Sequence, residues 1–216
     1  MNSQMADIAM AASLLFGLRG ANPVAAQSHK EPSRPHQAAQ SGQSNEDISR
    51  AAFQAILPVL RNPRCMNCHS SGDYPRQGDD GHPHGMDVKR GPDGQGINPV
   101  KCSVCHRGQN VAGKDSPPGA PDWAMPSPQM PMIWEGKTDR QLCELLKDPQ
   151  QNGHRNTAQI VEHMHTPLVL WGWHPGEGRT PIAVPQTQFL KNVSDWADHG
   201  AACPSTGNDT PSNSEK

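Results

Sequence analysis

Apolar residues recur at helical spacing in four stretches of the chain. The first spans residues 47–61, and the second follows Thr138–Gln141, which has the pattern of a capping box. The third opens at Asn156, and the last begins at Thr187 and ends at Gly200. The apolar positions of the four stretches are, in order, Ile48, Ala51, Ala52, Ile56 and Leu60; Leu142, Leu145 and Leu146; Ile160, Val161 and Met164; and Phe189, Leu190, Val193 and Trp196. The pattern therefore predicts four amphipathic helices.

The segments between these helices lack periodicity. Residues 70–101, 107–136 and 166–185 are rich in Gly and Pro, which predicts loops. Pro58 is expected to bend or end the first helix, and the second is expected to end near Asp148. The chain is therefore predicted to be mainly α and loop-rich, with one folded domain.

The N-terminal residues have the pattern of an export signal. Ile8–Leu18 is an apolar run of 11 residues, which is too short to span a bilayer and suits a signal peptide. Val24–Ala26 offers small residues for cleavage after Ala26, although Asp7 stands where a basic residue is usual. A buried N-terminal helix is the alternative. The predicted organisation is a signal peptide at 1–26, a flexible leader at 27–45, a domain at 46–203 and a disordered tail at 204–216.

Composition limits the core that side chains alone can build. Only 33% of the residues are hydrophobic and 4% are aromatic, while the chain has 20 Gly and 22 Pro. The formal net charge is −2, and no basic patch points to nucleic acid. The chain has no second apolar run of this kind, so no membrane span is expected after signal cleavage. A chain of this kind needs a further source of apolar contact to fold.

The chain contains two Cys-x-x-Cys-His runs, which indicate such a source of apolar contact. They begin at Cys65 and Cys102, 37 residues apart, and this pattern attaches c-type haem through its two thiols. The histidine that follows each pair is placed to bind the iron. We therefore predict two covalent haems that form much of the core. The attachment residues are Cys65, Cys68, Cys102 and Cys105, and the iron ligands from the motifs are His69 and His106.

Zinc and disulfides are the alternatives for these cysteines. The 33 residues between Cys68 and Cys102 exceed the usual gap of a zinc ribbon. Disulfides across the pairs are possible in an exported protein. Neither alternative explains why a histidine follows both pairs.

The ligand on the other side of each iron is less tightly defined by sequence. His84 lies in a Gly- and Pro-containing loop between the motifs, and we predict it for the first haem. His163 lies at the end of a short helix, and we predict it for the second haem. Ligation of each iron by two histidines would keep both potentials low, since Met ligation raises them. The open alternatives are His82, Met86, Met130, Met132 and His165.

Six aromatic and sulfur residues outside the motifs also have expected places. Cys143 and Cys203 are predicted to pair, closing a loop of about 60 residues that adds about 4 kcal/mol in the chain-entropy model. Two free thiols are the alternative. The tryptophans expected to pack around the haems are Trp123, Trp134, Trp171 and Trp173.

Further segments of the chain have a distinctive sequence. They are GDYPRQGDD, VKRGPDGQG, PPGAPDW, LCELLKDPQQNG and LVLWGWHPG. Together with CMNCH and CSVCH, over about residues 60–175, they make the chain resemble a group of small proteobacterial dihaem c-type proteins. Members are often labelled as cytochrome subunits associated with isoquinoline 1-oxidoreductase, a molybdenum hydroxylase. The resemblance implies that the partner is a dehydrogenase whose electrons this chain accepts.

The layout of two c-type haems with interleaved histidines also looks like the small dihaem subunit of periplasmic nitrate reductase. The long segment after the second motif departs from that pattern.

The expected function is a periplasmic dihaem cytochrome that shuttles electrons to or from a redox partner protein, such as a periplasmic dehydrogenase or oxidoreductase. No catalytic residue is predicted, because two six-coordinate irons leave no position for substrate. The alternative is a small dihaem peroxidase or oxidase with one open iron beside Glu135 or His174. A haem-based sensor or assembly factor is a third reading.

Overall fold

A computed structural model describes residues 43–205 of the chain. The predicted signal peptide, the leader up to residue 42 and the tail from residue 206 lie outside the described residues. The helices are α1 (Asn45–Leu60), α2 (Pro63–Met66), α3 (Cys102–Cys105), α4 (Asp139–Lys147), α5 (Thr157–Met164), α6 (Pro167–Leu170) and α7 (Gln186–Asp198). Short 3₁₀ turns lie at Gly85–Asp87 and Trp171–Trp173, and the strands are β1 (Arg76–Gln77), β2 (His82–Pro83), β3 (Gly96–Ile97) and β4 (Val100–Lys101). The described part is thus helical and loop-rich, as the sequence predicts.

Helices α4 and α5 begin at side chains that satisfy their first backbone N–H groups. Thr138 accepts a hydrogen bond from the backbone of Gln141, and the Gln141 side chain accepts one from the backbone of Thr138. Asn156 and Gln159 make the same reciprocal pair at the start of α5. Both predicted helix starts are confirmed, because a capping box is a purely local signal.

Helix α1 starts and ends close to the bounds that the sequence predicts. Pro58 does not end it, and the helix continues to Leu60. A proline this close to the end of a helix removes one backbone hydrogen bond without interrupting a following turn. The helix starts at Asn45 because Ser44 caps it by accepting a hydrogen bond from the backbone N–H of Asp47.

The side-chain core lies mainly between α1 and α7. The rings of Phe53 and Trp196 are 5.6 Å apart, and both side chains are buried. The hydroxyl of Ser49, also buried, donates to the carbonyl oxygen of Trp196 and accepts from the backbone N–H of Ala202, each at 2.8 Å. This hydroxyl satisfies one backbone group in the last turn of α7 and one beyond its end, so the last residues of the domain pack against α1.

A disulfide joins α4 to this core. Cys143 and Cys203 are bonded, with their Cα atoms 5.6 Å apart, which confirms the predicted pair. Leu142, Leu145 and Leu146 of α4 are buried in the same cluster as the residues of α1 and α7. Side chains of the helices therefore build an apolar core of their own, in spite of the low hydrophobic content.

Two small antiparallel hairpins order the loop between the Cys-x-x-Cys-His runs. β1 pairs with β2, and β3 pairs with β4. Gly96 adopts a positive φ of 86°, and a Cβ there would lie 2.6 Å from the carbonyl oxygen of Val100. Glycine is therefore required at this position for the hairpin to close. In residues 43–205, no helix is both long and apolar enough to cross a membrane.

Candidate functional site

The first Cys-x-x-Cys-His run forms one helical turn that starts in α2. Asn62 caps this turn through its side-chain oxygen, which accepts a backbone N–H. The backbone N–H of His69 donates to the carbonyl oxygen of Cys65 at 3.2 Å, so the run curls back on itself. Cys65, Cys68 and His69 consequently lie on the wall of one cavity.

This cavity has a volume of about 560 Å³, within the range of about 300–1,000 Å³ that is usual for ligand and cofactor sites. Part of its wall is apolar and comes from α1, α4, α5 and α7. The apolar residues from these helices are Val59, Leu60, Leu146, Ile160, Met164 and Phe189. The first motif therefore opens onto the helical core.

His69 is held in one orientation and one protonation state. Its Nδ1 lies 2.9 Å from the carbonyl oxygen of Met132. A carbonyl can only accept, so Nδ1 carries the proton and Nε2 keeps its lone pair. Trp134 stacks on the imidazole at 3.7 Å between centroids with an interplanar angle of 5°. Burial lowers the pKa of His69 to about 4, against the opposing effect of the Met132 hydrogen bond. The ring is therefore neutral and able to bind a metal through Nε2.

The thiols of the first motif are protonated in the absence of a bonded partner. Burial raises the pKa of Cys65 to about 12, and that of Cys68 to about 11. The neighbouring thiol of Cys102 also raises the pKa of Cys68, so the two motifs lie near each other.

Residues 43–205 show neither a disulfide nor a metal-ion cluster at the motif cysteines. Cys65, Cys68, Cys102 and Cys105 are free thiols, with no disulfide between or within the pairs. Among residues 43–205, no three or more His, Cys, Asp or Glu side chains are gathered as a metal-ion site. The two pairs are thus not assembled into one zinc centre.

The second motif repeats the arrangement of the first. Its cysteines lie in α3, and the backbone N–H of His106 donates to the carbonyl oxygen of Cys102 at 2.9 Å. Nδ1 of His106 lies 2.7 Å from the carbonyl oxygen of Pro118, so this ring also presents Nε2. Trp123 stacks on it at 4.5 Å and 5°. Burial lowers the pKa of His106, while the hydrogen bond to Pro118 opposes the shift.

His84 lies beside the second motif. Its ring centroid is 6.1 Å from that of His106, with an interplanar angle of 64°. Nδ1 of His84 donates to the carbonyl oxygen of Gly85 at 2.7 Å, so its Nε2 is also the nitrogen with a lone pair. An imidazole nitrogen binds a metal ion at about 2 Å. The two rings are close enough for both to hold one metal ion.

His163 lies beside the first motif. It projects from α5 into the cavity that His69 also lines. Burial lowers the pKa of His163, and the neighbouring guanidinium of Arg155 lowers it further, so the imidazole is neutral.

The structure places these two histidines beside the opposite motifs to those expected from the sequence, and their role as iron ligands stays a prediction. His84 was expected at the first motif and His163 at the second, but the structure places them the other way round. The hairpin loop after His69 carries His84 away to the second motif, while α5 packs against α7 and returns His163 to the first.

The other candidate ligands fall into two groups. His82, His165 and Met86 are exposed, and His82 is engaged by Asp80 at 2.6 Å. Met130 and Met132 line the cavity of the first motif together with His163. Their thioethers therefore remain alternatives for the first iron rather than for the second.

Tryptophans lie at both motifs. Trp123, stacked on His106, also lines the cavity of the first motif, and so does Trp171, whose ring meets Trp123 edge-on at 4.9 Å. Trp173 instead packs on Phe189 in the helical core, 5.2 Å between centroids. Three of the four tryptophans expected around the haems are thus at the sites, and one is not.

Two buried donors at the cavity have no hydrogen-bond partner among the described residues. They are Nε of Arg64 and Nε1 of Trp134, both of residues that line the cavity. Unpartnered buried donors are costly and call for an acceptor. A haem carries two carboxylates and a large apolar face, so paired thiols, oriented imidazoles, apolar walls and free donors together fit such a group.

The chain matches no protein-family model, no curated protein and no solved structure. The assignment of the site therefore depends on the chemistry of its own residues.

Sequence reasoning missed the groups that orient the histidines and one buried cation. The carbonyl acceptors of His69 and His106 belong to Met132 and Pro118, which lie 63 and 12 residues further along the chain. Arg90 is buried between loops near the first motif. Neither has a sequence signal, because backbone carbonyls carry no residue identity and a lone Arg in a Gly-rich segment usually faces solvent.

Proposed function

We propose that this protein is an exported dihaem c-type cytochrome that transfers electrons to or from a redox partner protein. One observation carries the proposal: each Cys-x-x-Cys-His run has its histidine oriented by a backbone carbonyl, with a second imidazole brought to the same motif from elsewhere in the chain. That combination is what covalent attachment and six-coordinate iron require.

Each side chain then has a role. Cys65 and Cys68 would attach the first haem, and His69 and His163 would bind its iron. The corresponding residues of the second haem are Cys102, Cys105, His106 and His84. Such a group, when bound, supplies one-electron cycling between Fe(III) and Fe(II). The protein's part is to orient the imidazoles and to set the potential of each iron.

The cavity also accounts for the composition of the chain. Its apolar lining from the helices, including Leu60, Ile160 and Phe189, is continuous with the side-chain core. A haem in this space would extend that core and add the apolar contact that a chain with 33% hydrophobic residues lacks. The first haem is thus proposed as a structural element as well as a redox centre.

The residues named for a peroxidase do not favour that alternative. Glu135 pairs with Arg76 at 2.6 Å and accepts hydrogen bonds from Ser71. His174 is exposed, and neither Glu135 nor His174 lines the cavity of the first motif. An electron carrier needs no such group.

Export to the periplasm is part of the proposal. The disulfide between Cys143 and Cys203 is compatible with an oxidising compartment. The resemblance to small dihaem proteins points to a periplasmic dehydrogenase or oxidoreductase as the partner, with electrons passing through the two haems.

The proposal is tested by mass spectrometry of protein produced with a c-type haem attachment system. The expected result is two haem additions that survive acidic acetone extraction. Replacing Cys102 and Cys105 together by Ser should leave one addition, and so should replacing Cys65 and Cys68. A colourless protein, or one that binds zinc instead, would overturn the proposal.

A further inference from the structure

Arg90 has an unusual environment for a charged side chain. Only 2% of the residue is exposed. Nη1 donates to the carbonyl oxygen of Pro126 at 2.7 Å, and Nη2 donates to that of Gly72 at 2.9 Å. Both acceptors are neutral. The carboxylate of Asp73 is 3.9 Å from Nε, but it is 68% exposed, so water screens much of its charge. The positive charge of Arg90 is therefore only partly compensated.

The guanidinium is bonded to two segments near the first site. Gly72 follows His69 by three residues, and Pro126 lines the cavity that holds His69, although Arg90 itself is not part of the lining. The backbone of Arg90 is also anchored, since its N–H donates to the carbonyl oxygen of Asp73 at 2.8 Å. The charge is thus fixed in position behind Pro126 and beside the segment that follows His69.

The other buried guanidinium does not act in the same way. Arg64 makes a close ion pair with Asp79, whose carboxylate also accepts from Thr180. Its charge is therefore largely neutralised. At the second motif, Lys101 pairs with Asp93 at 3.3 Å and both are partly exposed, so their fields cancel and are screened. Arg179 also lies near His106 and donates only to carbonyl oxygens, but it is partly exposed, so water screens its charge more than that of Arg90.

A fixed positive charge disfavours Fe(III) relative to Fe(II), because the oxidised iron carries one more positive charge. The effect is larger at a buried position, where the dielectric is low. We infer that Arg90 holds the midpoint potential of the first haem above that of the second. The inference rests on the proposed function. With one electron in the protein, oxidation of the second iron and reduction of the first would be the favoured direction of exchange.

The test is a spectroelectrochemical titration of the haem-loaded protein and three variants. In the wild type we expect two one-electron waves. In Arg90→Gln we expect the midpoint potential of the higher wave to fall by about 59 mV or more, which is a tenfold change in the equilibrium constant of a one-electron reduction. The midpoint potential of the lower wave should stay the same. Arg90→Lys should retain most of the separation. Lys89→Gln is the matched control, because it removes the adjacent charge from an exposed side chain and should move neither wave.

Several outcomes would overturn the inference. They are a single wave in the wild type, two waves unmoved in Arg90→Gln, equal movement of both waves, or movement of the lower wave alone. Protein without haem would instead overturn the proposed function, so the two failures are distinguishable by the haem count.

If Arg90→Gln does not fold, the wild type itself provides the test. The field of a buried charge is little screened by salt, whereas that of surface charges is screened within about 10 Å at 0.1 M ionic strength. The separation of the two waves should therefore persist from low to high salt. A separation that closes as salt is added would contradict a role for Arg90.

Discussion

At the scale of single residues, the sites are defined by what orients each imidazole. His69, His84 and His106 all bond through Nδ1 to a backbone carbonyl. His199 makes the same kind of bond to the carbonyl of Asp195, outside both sites. The bond by itself therefore does not mark a ligand. A ligand is indicated where the oriented ring also lies beside a cysteine pair or its histidine.

Replacing the second histidine of each site should open one iron. We expect His163→Ala to expose the first iron, and His84→Ala the second, because each removes a ligand without touching the attachment motif. Each variant should show a high-spin band for about half of the haem and bind carbon monoxide or cyanide. The measurement is absorption spectroscopy with and without added ligand.

The neighbouring exposed histidines are the controls for this experiment. His165→Ala and His82→Ala should leave the spectrum of both haems unchanged. If His163→Ala is also silent, a methionine of the same cavity, Met130 or Met132, is the ligand of the first iron instead.

Asp79 should make stability depend on pH. The Thr180 hydroxyl and then the Arg64 guanidinium lower the pKa of its carboxyl below 3.8. A lowered pKa means that the ionised carboxylate stabilises the fold above that value, and that this stability is lost as pH falls through the folded pKa. Asp79→Asn should cost about 1–3 kcal/mol near neutral pH, because it leaves the buried Arg64 without its partner.

The measurement is chemical unfolding of both proteins between neutral and acidic pH. The difference between wild type and Asp79→Asn should shrink below pH 4. Asp80→Asn is the control, because the Asp80 side chain is 75% exposed and its loss should have little effect on stability. A difference that grows on acidification would contradict the assigned role of Asp79.

At the scale of elements, α4 links the local and the long-range order of the domain. It starts at a capping box, buries three leucines and is bonded to Cys203 near the end of the described chain. The cap at its N-terminus therefore stabilises a helix to which the last described residues are covalently joined.

Removing the cap should weaken this element measurably. We expect Thr138→Ala to lower the free energy of unfolding by about 1 kcal/mol, since an orphan backbone N–H loses its acceptor. Thr157→Ala changes the first residue of α5, whose cap is Asn156, and should cost less. Thermal or denaturant unfolding of the two variants compares them directly, and equal losses would contradict the cap assignment.

At the scale of the whole molecule, the two sites are unequal. The first opens onto the helical core and is bordered by α1, α5 and α7. The second lies among loops, where Val104, inside the motif, is 55% exposed and Met86, next to Gly85, is 74% exposed. Burial raises and solvent exposure lowers the potential of a haem, so this difference acts in the same direction as Arg90.

Loss of the first haem should therefore destabilise the protein more than loss of the second. We expect the variant with Cys65 and Cys68 replaced by Ser to unfold at a lower temperature than the matched variant of Cys102 and Cys105. The reason is the larger apolar surface that the first haem would cover in the core. Circular dichroism melting of both variants measures the order, and the reverse order would contradict it.

The sequence by itself determined the starts of α4 and α5, the two Cys-x-x-Cys-His runs and the bonded pair Cys143–Cys203. Helix periodicity and capping boxes involve residues within one or two turns, so they can be read without the fold. The cysteine pair followed from what remained once the motifs were assigned, and the structure then supplied the proximity.

Only the tertiary structure decided which partner each motif receives. His84 and His163 exchanged their expected places, Trp173 went to the helical core, and Arg90 was buried beside the first site. Each outcome depends on how a loop or helix folds back over tens of residues. Chain order does not determine that path; it is set by the packing of α1, α4, α5 and α7 around a shared apolar interior, which only the folded chain brings together.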